Sequence, residues 1–273
     1  MEIDAVLEVE AGDPQIAIDF LVANVNLSKS RLKDLMNKGG VWRVSKTGER
    51  ARIRRAMTDI LVGEQIEIFY DDAYLSLRPI GPELIEDLGQ YSIWNKPSGL
   101  SLSGSDFGDY NSFQRALELH FQPTRDIYWL QAFDYEATGI MVVAHTRKAA
   151  ADLTVQFNPD GYQNAMVHYR CDVQGDYNGG EELTTDIEGD SAHSRVNKVR
   201  FDARPDRSVL DLWPTTGRPY QVRQQCAQAG NPVVGDELFG RSNDDIEGLR
   251  MKIIEVSFVC PVDGKIQHVS LLK

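Results

Sequence analysis

Residues Thr215–Gly240 read TTGRPYQVRQQCAQAGNPVVGDELFG, a loop that enters a helix ending at Gly230. Gln221 to Gln228 has helical composition, and the glycine after it is a helix stop. Outward from this stretch the signals are mostly strands. Upstream lie Val209–Leu212, Val196–Phe201 and VHYRCDVQG at 167–175, then a helix over Thr146–Phe157. Before these, GIMVVAHT and IYWLQAF read as two buried strands flanking a turn at Asp134–Gly139. Ser112–Phe121 is an amphipathic helix, YSIWNKPSGL at 91–100 a strand running into a Pro-Gly turn, and Ile253–Phe258 a last strand. Strand pairs with occasional helices predict an α+β fold on a mixed, largely antiparallel sheet with flanking helices, rather than a βαβ alternation.

The first 72 residues form a pattern of their own. Ile16, Phe20 and Leu21 make a helical stripe, and Ser28 is the N-cap of a second helix, SKSRLKDLMNKGG, stopped by Gly39-Gly40. Val41–Val44 and ILVGEQIEIFYDD at 60–72 then alternate as strands. The organisation expected is a small α/β module at 1–72, a linker at 73–90 around Pro79, Gly81 and Pro82, and a larger domain at 91–273.

The chain of 273 residues has ordinary globular composition, with 26% charged and 42% hydrophobic residues and a net charge of −12. That charge argues against a polyanionic partner only if it is evenly spread. Between Ser28 and Arg55 there are ten basic residues and two acids, a local charge of +8 that leaves −20 for the rest. Lys29 and Lys33 stand one helical turn apart, and Arg52, Arg54 and Arg55 follow a strand. With Arg31 they are candidate phosphate-binding residues, although a solvated basic face has the same composition. The segment SKSRLKDLMNKGGVWR with LVGEQIEIFY also resembles the α-L RNA-binding motif of ribosomal proteins and RNA-modifying enzymes.

No apolar run is long enough for a membrane span, and the acidic start MEIDAVLEVEAGD lacks the order of a secretory signal. Cys171, Cys226 and Cys260 are widely spaced, as expected of buried thiols in a reducing cytoplasm. Phosphate-loop, dinucleotide and nucleophile-elbow motifs are absent, and the five histidines lack metal-ligand spacing. Neither a cofactor nor a metal is expected. What remains are polar residues at strand ends: Asp134 between two apolar strands, Tyr169 in VHYRCDVQG, and Arg218 and Arg223 in the opening stretch. Singly, each is as readily a turn former, a core tyrosine or a surface charge.

Together, in order, these segments resemble the RluA-type pseudouridine synthases, whose patterns are H-R-L-D-x-x-T-S-G, K-x-Y-x-A-x-V-x-G and T-G-R-x-H-Q-I-R-x-H-L-A-x-x-G-x-P-I-x-G-D-x-x-Y-G. The third pattern is matched at Thr216, Gly217, Arg218, Gln221, Arg223, Ala227, Gly230, Pro232, Gly235, Asp236 and Gly240, and NKPSGL at 95–100 matches a family strand end. The resemblance covers about 91 to 260. It implies isomerisation of uridine in ribosomal or transfer RNA, with the base leaving ribose through N1 and returning through C5. Asp134 would then be the catalytic aspartate acting at the ribose. Arg223 would hold its ionised form, Tyr169 would pack on the detached uracil, and Arg218 would support the substrate.

The chain departs from the pattern at Gln131-Ala132, where the family has His-Arg, at Ala137 in T-S-G, and at Tyr220 and Gln225 in place of two histidines. The absent arginine is associated with base flipping and RNA contact. A catalytically impaired RNA-binding relative is therefore an alternative, and a hydrolase using Asp134 with His145 as base is a remote one.

Overall fold

The computed structural model describes residues 1–78, 80–130, 134, 136–240 and 248–272. The chain divides into two compact units, Met1–Ile80 with Leu100–Phe121, and Gly81–Gly99 with Gln122–Lys273.

In the first unit, strands β1 (Glu2–Glu8), β2 (Val41–Val44), β3 (Arg50–Arg52) and β4 (Gln65–Asp71) form an antiparallel sheet in the order β1-β4-β2-β3. Helices α1 (Ala17–Asn24) and α2 (Lys29–Lys38) supply Phe20, Leu21, Leu32, Leu35 and Met36 to a core shared with Val41, Ile66 and Ile68. The expected caps of α2 are present: Ser28 Oγ accepts from the Arg31 amide at 3.3 Å, and Gly39 takes the left-handed conformation, φ 88°.

Two sequence boundaries need correction. Residues 73–90 are not a bare linker, because α3 (Asp72–Ser76) continues β4 and Glu83–Asp87 forms a strand. Residues 100–121, including α4 (Phe113–His120), group with the N-terminal unit rather than with the larger domain. The Asp109 amide donates to the Lys38 carbonyl at 3.0 Å, Trp42 Nε1 donates to the Asp106 carbonyl at 3.0 Å, and the Tyr74 and Tyr110 rings meet edge to face. Such contacts join segments more than thirty residues apart and leave no local pattern.

The second unit contains β5 (Glu83–Asp87), β6 (Tyr91–Lys96), β7 (Tyr128–Trp129), β8 (Thr138–Ala144), α5 (Arg147–Gln156), β9 (Met166–Gln174), β10 (Glu182–Ile187), β11 (Asp190–Asp202), β12 (Arg207–Pro214), α6 (Gln221–Gln228), β13 (Met251–Val259) and β14 (Ile266–Ser270). Among the described residues these strands make one ten-stranded sheet, with a spine β10-β11-β12-β9-β13-β8-β6-β5, β14 on β13 and β7 on β8. Every pairing is antiparallel except β13 with β8, so the expected mixed, largely antiparallel α+β sheet is present. β8, α5, β9 and α6 follow the sequence reading closely, whereas β1, β10 and β14 were not anticipated. The three cysteines are free and buried.

The parallel crossing has a strict local requirement. Gly139, at φ 91°, lies where β8 meets β13, and a Cβ there would run into the Ile253 carbonyl oxygen. Gly139→Ala is expected to lose about 3 kcal/mol in denaturant unfolding. Gly12→Ala, at φ 105° but in open space, is expected to lose only about 1–2 kcal/mol. Equal losses at both positions would show that the close approach is unimportant.

Candidate active site

The site is assembled at the start of β8, beside β6, β9 and the first turn of α6. Asp134 is fixed by a local turn, its Oδ1 accepting from the Glu136 amide at 3.1 Å and its carbonyl from the Ala137 amide at 3.1 Å. Its backbone N–H donates to Tyr169 Oη at 3.2 Å, so a buried β9 side chain holds Asp134 in place. Alternation along β9 places Tyr169 with Val167, Cys171 and Val173 on one face.

Arg223 is buried to 1% exposure in the first turn of α6. A guanidinium at that depth requires anionic partners. Asp236 takes Nε at 2.8 Å and NH2 at 2.6 Å, while NH1 donates to Glu136 Oε2. Asp236 is held in turn by the Leu238 and Phe239 amides at 3.0 and 3.1 Å, and the guanidinium lies near the Tyr220 and Phe239 rings. Burial pushes the Asp236 carboxyl up, but the Arg223 bonds and the two amides outweigh it and leave its pKa below the ordinary value.

Helix α6 is itself pinned by glutamines. Gln221 Oε1 accepts from Thr216 Oγ1 at 2.8 Å and from the Arg218 amide at 3.1 Å, while its Nε2 reaches the His193 carbonyl at 2.9 Å. Gln225 Nε2 donates to the Ala192 carbonyl at 3.1 Å and its Oε1 accepts from Ser194 Oγ at 2.6 Å. Thr216, Gln221, Arg223 and Asp236 thus have interlocking physical tasks, and Gln225 takes a docking role where the related pattern carries histidine.

The Asp134 carboxylate is 7% exposed, and its Oδ2 stands 4.0 Å from Arg223 NH1. That oxygen has no hydrogen-bond partner among the described residues. Burial pushes the Asp134 pKa up to about 6, an effect that Arg223 reduces and the negative charges of Glu136 and Asp236 reinforce. Lys96, known from the sequence only as part of NKPSGL, joins the site from the end of β6. It is 2% exposed, and its ammonium donates to the Ala137 carbonyl at 3.2 Å. Burial draws its pKa down to about 8 against the pull of Asp134 and Glu136. A lysine at a strand end carries no sequence sign of burial, so only the fold reveals it. Burial also raises the Tyr169 hydroxyl well above its usual range, keeping it protonated.

Asp134, Tyr169 and Arg223 are therefore brought together. Arg218 is not part of that cluster: its NH2 donates to Asp160 Oδ1 at 2.7 Å and its Nε to the Ser191 carbonyl at 3.3 Å. Gln131 and Ala132, the departures from the His-Arg pattern, lie outside the described residues. His145 is unsuited to the hydrolase alternative, because Nε2 meets Ser92 Oγ at 2.7 Å and Nδ1 the Asp126 carbonyl at 2.9 Å.

The basic residues of the first unit divide into two sets. Arg52 bonds the Gly39 and Ser105 carbonyls, Arg54 bonds Asp109, and Arg50 and Arg52 flank the Trp42 ring at 4.0 and 3.9 Å. These arginines hold the 100–121 segment. Arg31 meets Tyr70 and Asp72, and exposed Lys29 meets Asp19. Lys33 and Arg55 are exposed without an ion pair among the described residues.

The second unit carries most of a family match. A family model described as RNA pseudouridylate synthase matches residues 90–228. The chain belongs to this family, as an RluA-type member. It is 26% identical to an uncharacterised RNA pseudouridine synthase of Synechocystis sp., over 88% of this chain and 80% of that one. It is 28% identical to the dual-specificity RNA pseudouridine synthase RluA of Vibrio parahaemolyticus, over 61% and 73%. The solved structure of human RNA pseudouridylate synthase domain containing 1 shares the fold, with TM-score 0.57 and 18% identity over 72% of this chain and 86% of that one. The protein is thus an RNA-modifying isomerase that converts uridine to pseudouridine. Among the described residues no helix is long and apolar enough to cross a membrane, and no cluster of three or more His, Cys, Asp or Glu side chains is disposed to hold a metal ion.

Asp134 also has a stability consequence. Its folded pKa of about 6 exceeds the unfolded value, so the unfolded chain releases the proton first and stability falls as pH rises from about 4 to 6. Asp134→Asn removes that penalty. In thermal unfolding at pH 7.5 the variant is expected to be more stable than wild type by about 1–2 kcal/mol, with the gap closing near pH 4. A less stable variant at pH 7.5 would contradict the assignment.

Proposed function

We propose that this synthase isomerises specific uridines of ribosomal or transfer RNA without a cofactor, with Asp134 acting at the ribose. The observation that carries the reading is the Asp134 carboxylate itself: buried, fixed through its backbone, 4.0 Å from Arg223 NH1 and with one oxygen unpartnered among the described residues. A buried charge so incompletely paired is costly, and such arrangements cluster at reactive sites.

The isomerisation breaks the C1′–N1 bond and forms C1′–C5; C5 loses a proton and N1 gains one, with no net redox change. Ionised Asp134 serves either as a nucleophile at C1′ or as a base toward the 2′ position, and both roles need the charged form. Arg223, clamped by Asp236, opposes the burial that would keep Asp134 protonated. Tyr169 offers a ring and a protonated hydroxyl beside Asp134, suited to holding the detached uracil so that it returns instead of diffusing away. Arg218, bound to Asp160 and Ser191, supports the loop ahead of α6 and contributes to the substrate side of the site through it.

The N-terminal unit is proposed to bind RNA phosphates, with Lys33 and Arg55 as the leading contacts and Lys29 and Arg31 beside them. Arg52 and Arg54 contribute mainly by keeping that basic surface folded. The −12 net charge is no obstacle, since the +8 segment is concentrated in this unit.

RNA carrying tritium at uridine C5, taken from a strain lacking the gene, should release label with the wild-type protein and not with Asp134→Asn. The rate should rise with pH through about 6, falling roughly tenfold per unit below it. No release from any cellular RNA would favour an RNA-binding relative without activity. Neutralising Lys33 and Arg55 should make the log-log salt dependence of RNA binding shallower by roughly 0.7 per lost contact to single-stranded RNA. An unchanged slope would return both residues to a solvated face.

A further inference from the structure

Glu136 differs physically from the other carboxylates around Arg223. Asp134 and Asp236 are buried, whereas the Glu136 side chain is 52% exposed and yet reaches inward to Arg223 NH1. With Nε and NH2 held by Asp236, NH1 is the nitrogen of Arg223 closest to pairing with Asp134, and it is bonded to Glu136. Asp134 Oδ2 is left at 4.0 Å with no hydrogen-bond partner among the described residues.

We propose that Glu136 is a positioning residue that competes with Asp134 for NH1 of Arg223, so that the full Asp134–Arg223 pair forms only when Glu136 swings into solvent. This deepens the proposed function and rests on Asp134 being the reacting carboxylate.

The geometry favours a movable competitor. The backbone of residue 136 is tethered by its N–H to Asp134 Oδ1, but the half-exposed side chain has water to receive it when it leaves. Arg223 cannot follow it outward, because Asp236 and the Tyr220 and Phe239 rings confine the guanidinium. NH1 has a second hydrogen, so the contest is over the position of that nitrogen. Moving Glu136 out removes one negative charge from beside Asp134 and the bond that draws NH1 away from it, and both changes favour ionised Asp134. Among the described residues, the other groups facing this carboxylate are Lys96 from β6, Tyr169 and Cys171 from β9, and Asp236 after α6. None of them has the solvent-exposed side chain and the bond to NH1 that Glu136 combines.

The test compares wild type with Glu136→Gln, which keeps the shape and removes the charge. Single-turnover pseudouridine formation across pH should place the acid limb of the variant lower than that of wild type by roughly one unit, giving up to about tenfold faster turnover near pH 5. A limb that stays in place or moves upward overturns the competition. A second readout needs no turnover: in protein carrying 13C at the aspartate side-chain carboxyls, the Asp134 resonance, assigned by its loss in Asp134→Asn, should titrate lower in Glu136→Gln than in wild type. Equal midpoints overturn the inference. Silent turnover with shifted midpoints would instead place the failure in the proposed function, leaving the competition for Arg223 intact.

Discussion

A guanidinium has five N–H donors and cannot give up its charge, so burying one commits its surroundings to carry the opposite sign. Arg223 imposes that commitment here. Asp236 answers it through two bonds, Glu136 through one, and Asp134 through proximity alone. Each neighbour then needs its own support. Asp236 rests on two backbone amides, and α6 is locked by Gln221 and Gln225 to the β10–β11 strands. Gly235 must be glycine because a Cβ would strike the Gly248 carbonyl as the chain runs on toward Asp236. The third segment of the family pattern is thus largely the set of conditions for burying one arginine.

The same commitment sets the ionisation of Asp134. A carboxylate fully paired with Arg223 would be held below the usual range and ionised throughout the neutral and mildly acid range. One with no cation nearby would stay protonated at neutral pH. Asp134 lies between these limits, at about 6, because burial is only partly offset by an arginine whose bonds go elsewhere. It is ionised at neutral pH at some loss of stability, a compromise expected where activity and stability make opposed demands on one side chain.

The sheet was legible where local pattern and burial agree. Alternation in VHYRCDVQG marked β9, the apolar run of GIMVVAHT marked β8, and the glutamine-rich stretch closed by glycine marked α6. The Asp134, Tyr169 and Arg223 constellation was legible only through the family pattern, because each residue type alone fits a bland role. Glu136 and Lys96 escaped detection for a physical reason: a glutamate in a turn and a lysine at a strand end give no sequence sign of the partner or the burial that the fold gives them. The basic cluster was counted correctly but not assigned a direction, since Asp106 and Asp109, which take up Arg50 and Arg54, arrive from a segment fifty residues downstream. Charge counting reports how much positive charge a segment carries and is blind to which of it the fold consumes.

The central claim is that Asp134, buried beside Arg223 and incompletely paired with it, is the reacting carboxylate. The most direct measurement is pseudouridine mapping across ribosomal and transfer RNA from otherwise identical cells carrying either wild type or Asp134→Asn as the only copy of the gene. A set of pseudouridines present with wild type and absent with the variant is the predicted result. The same sites retained in the variant would contradict the account.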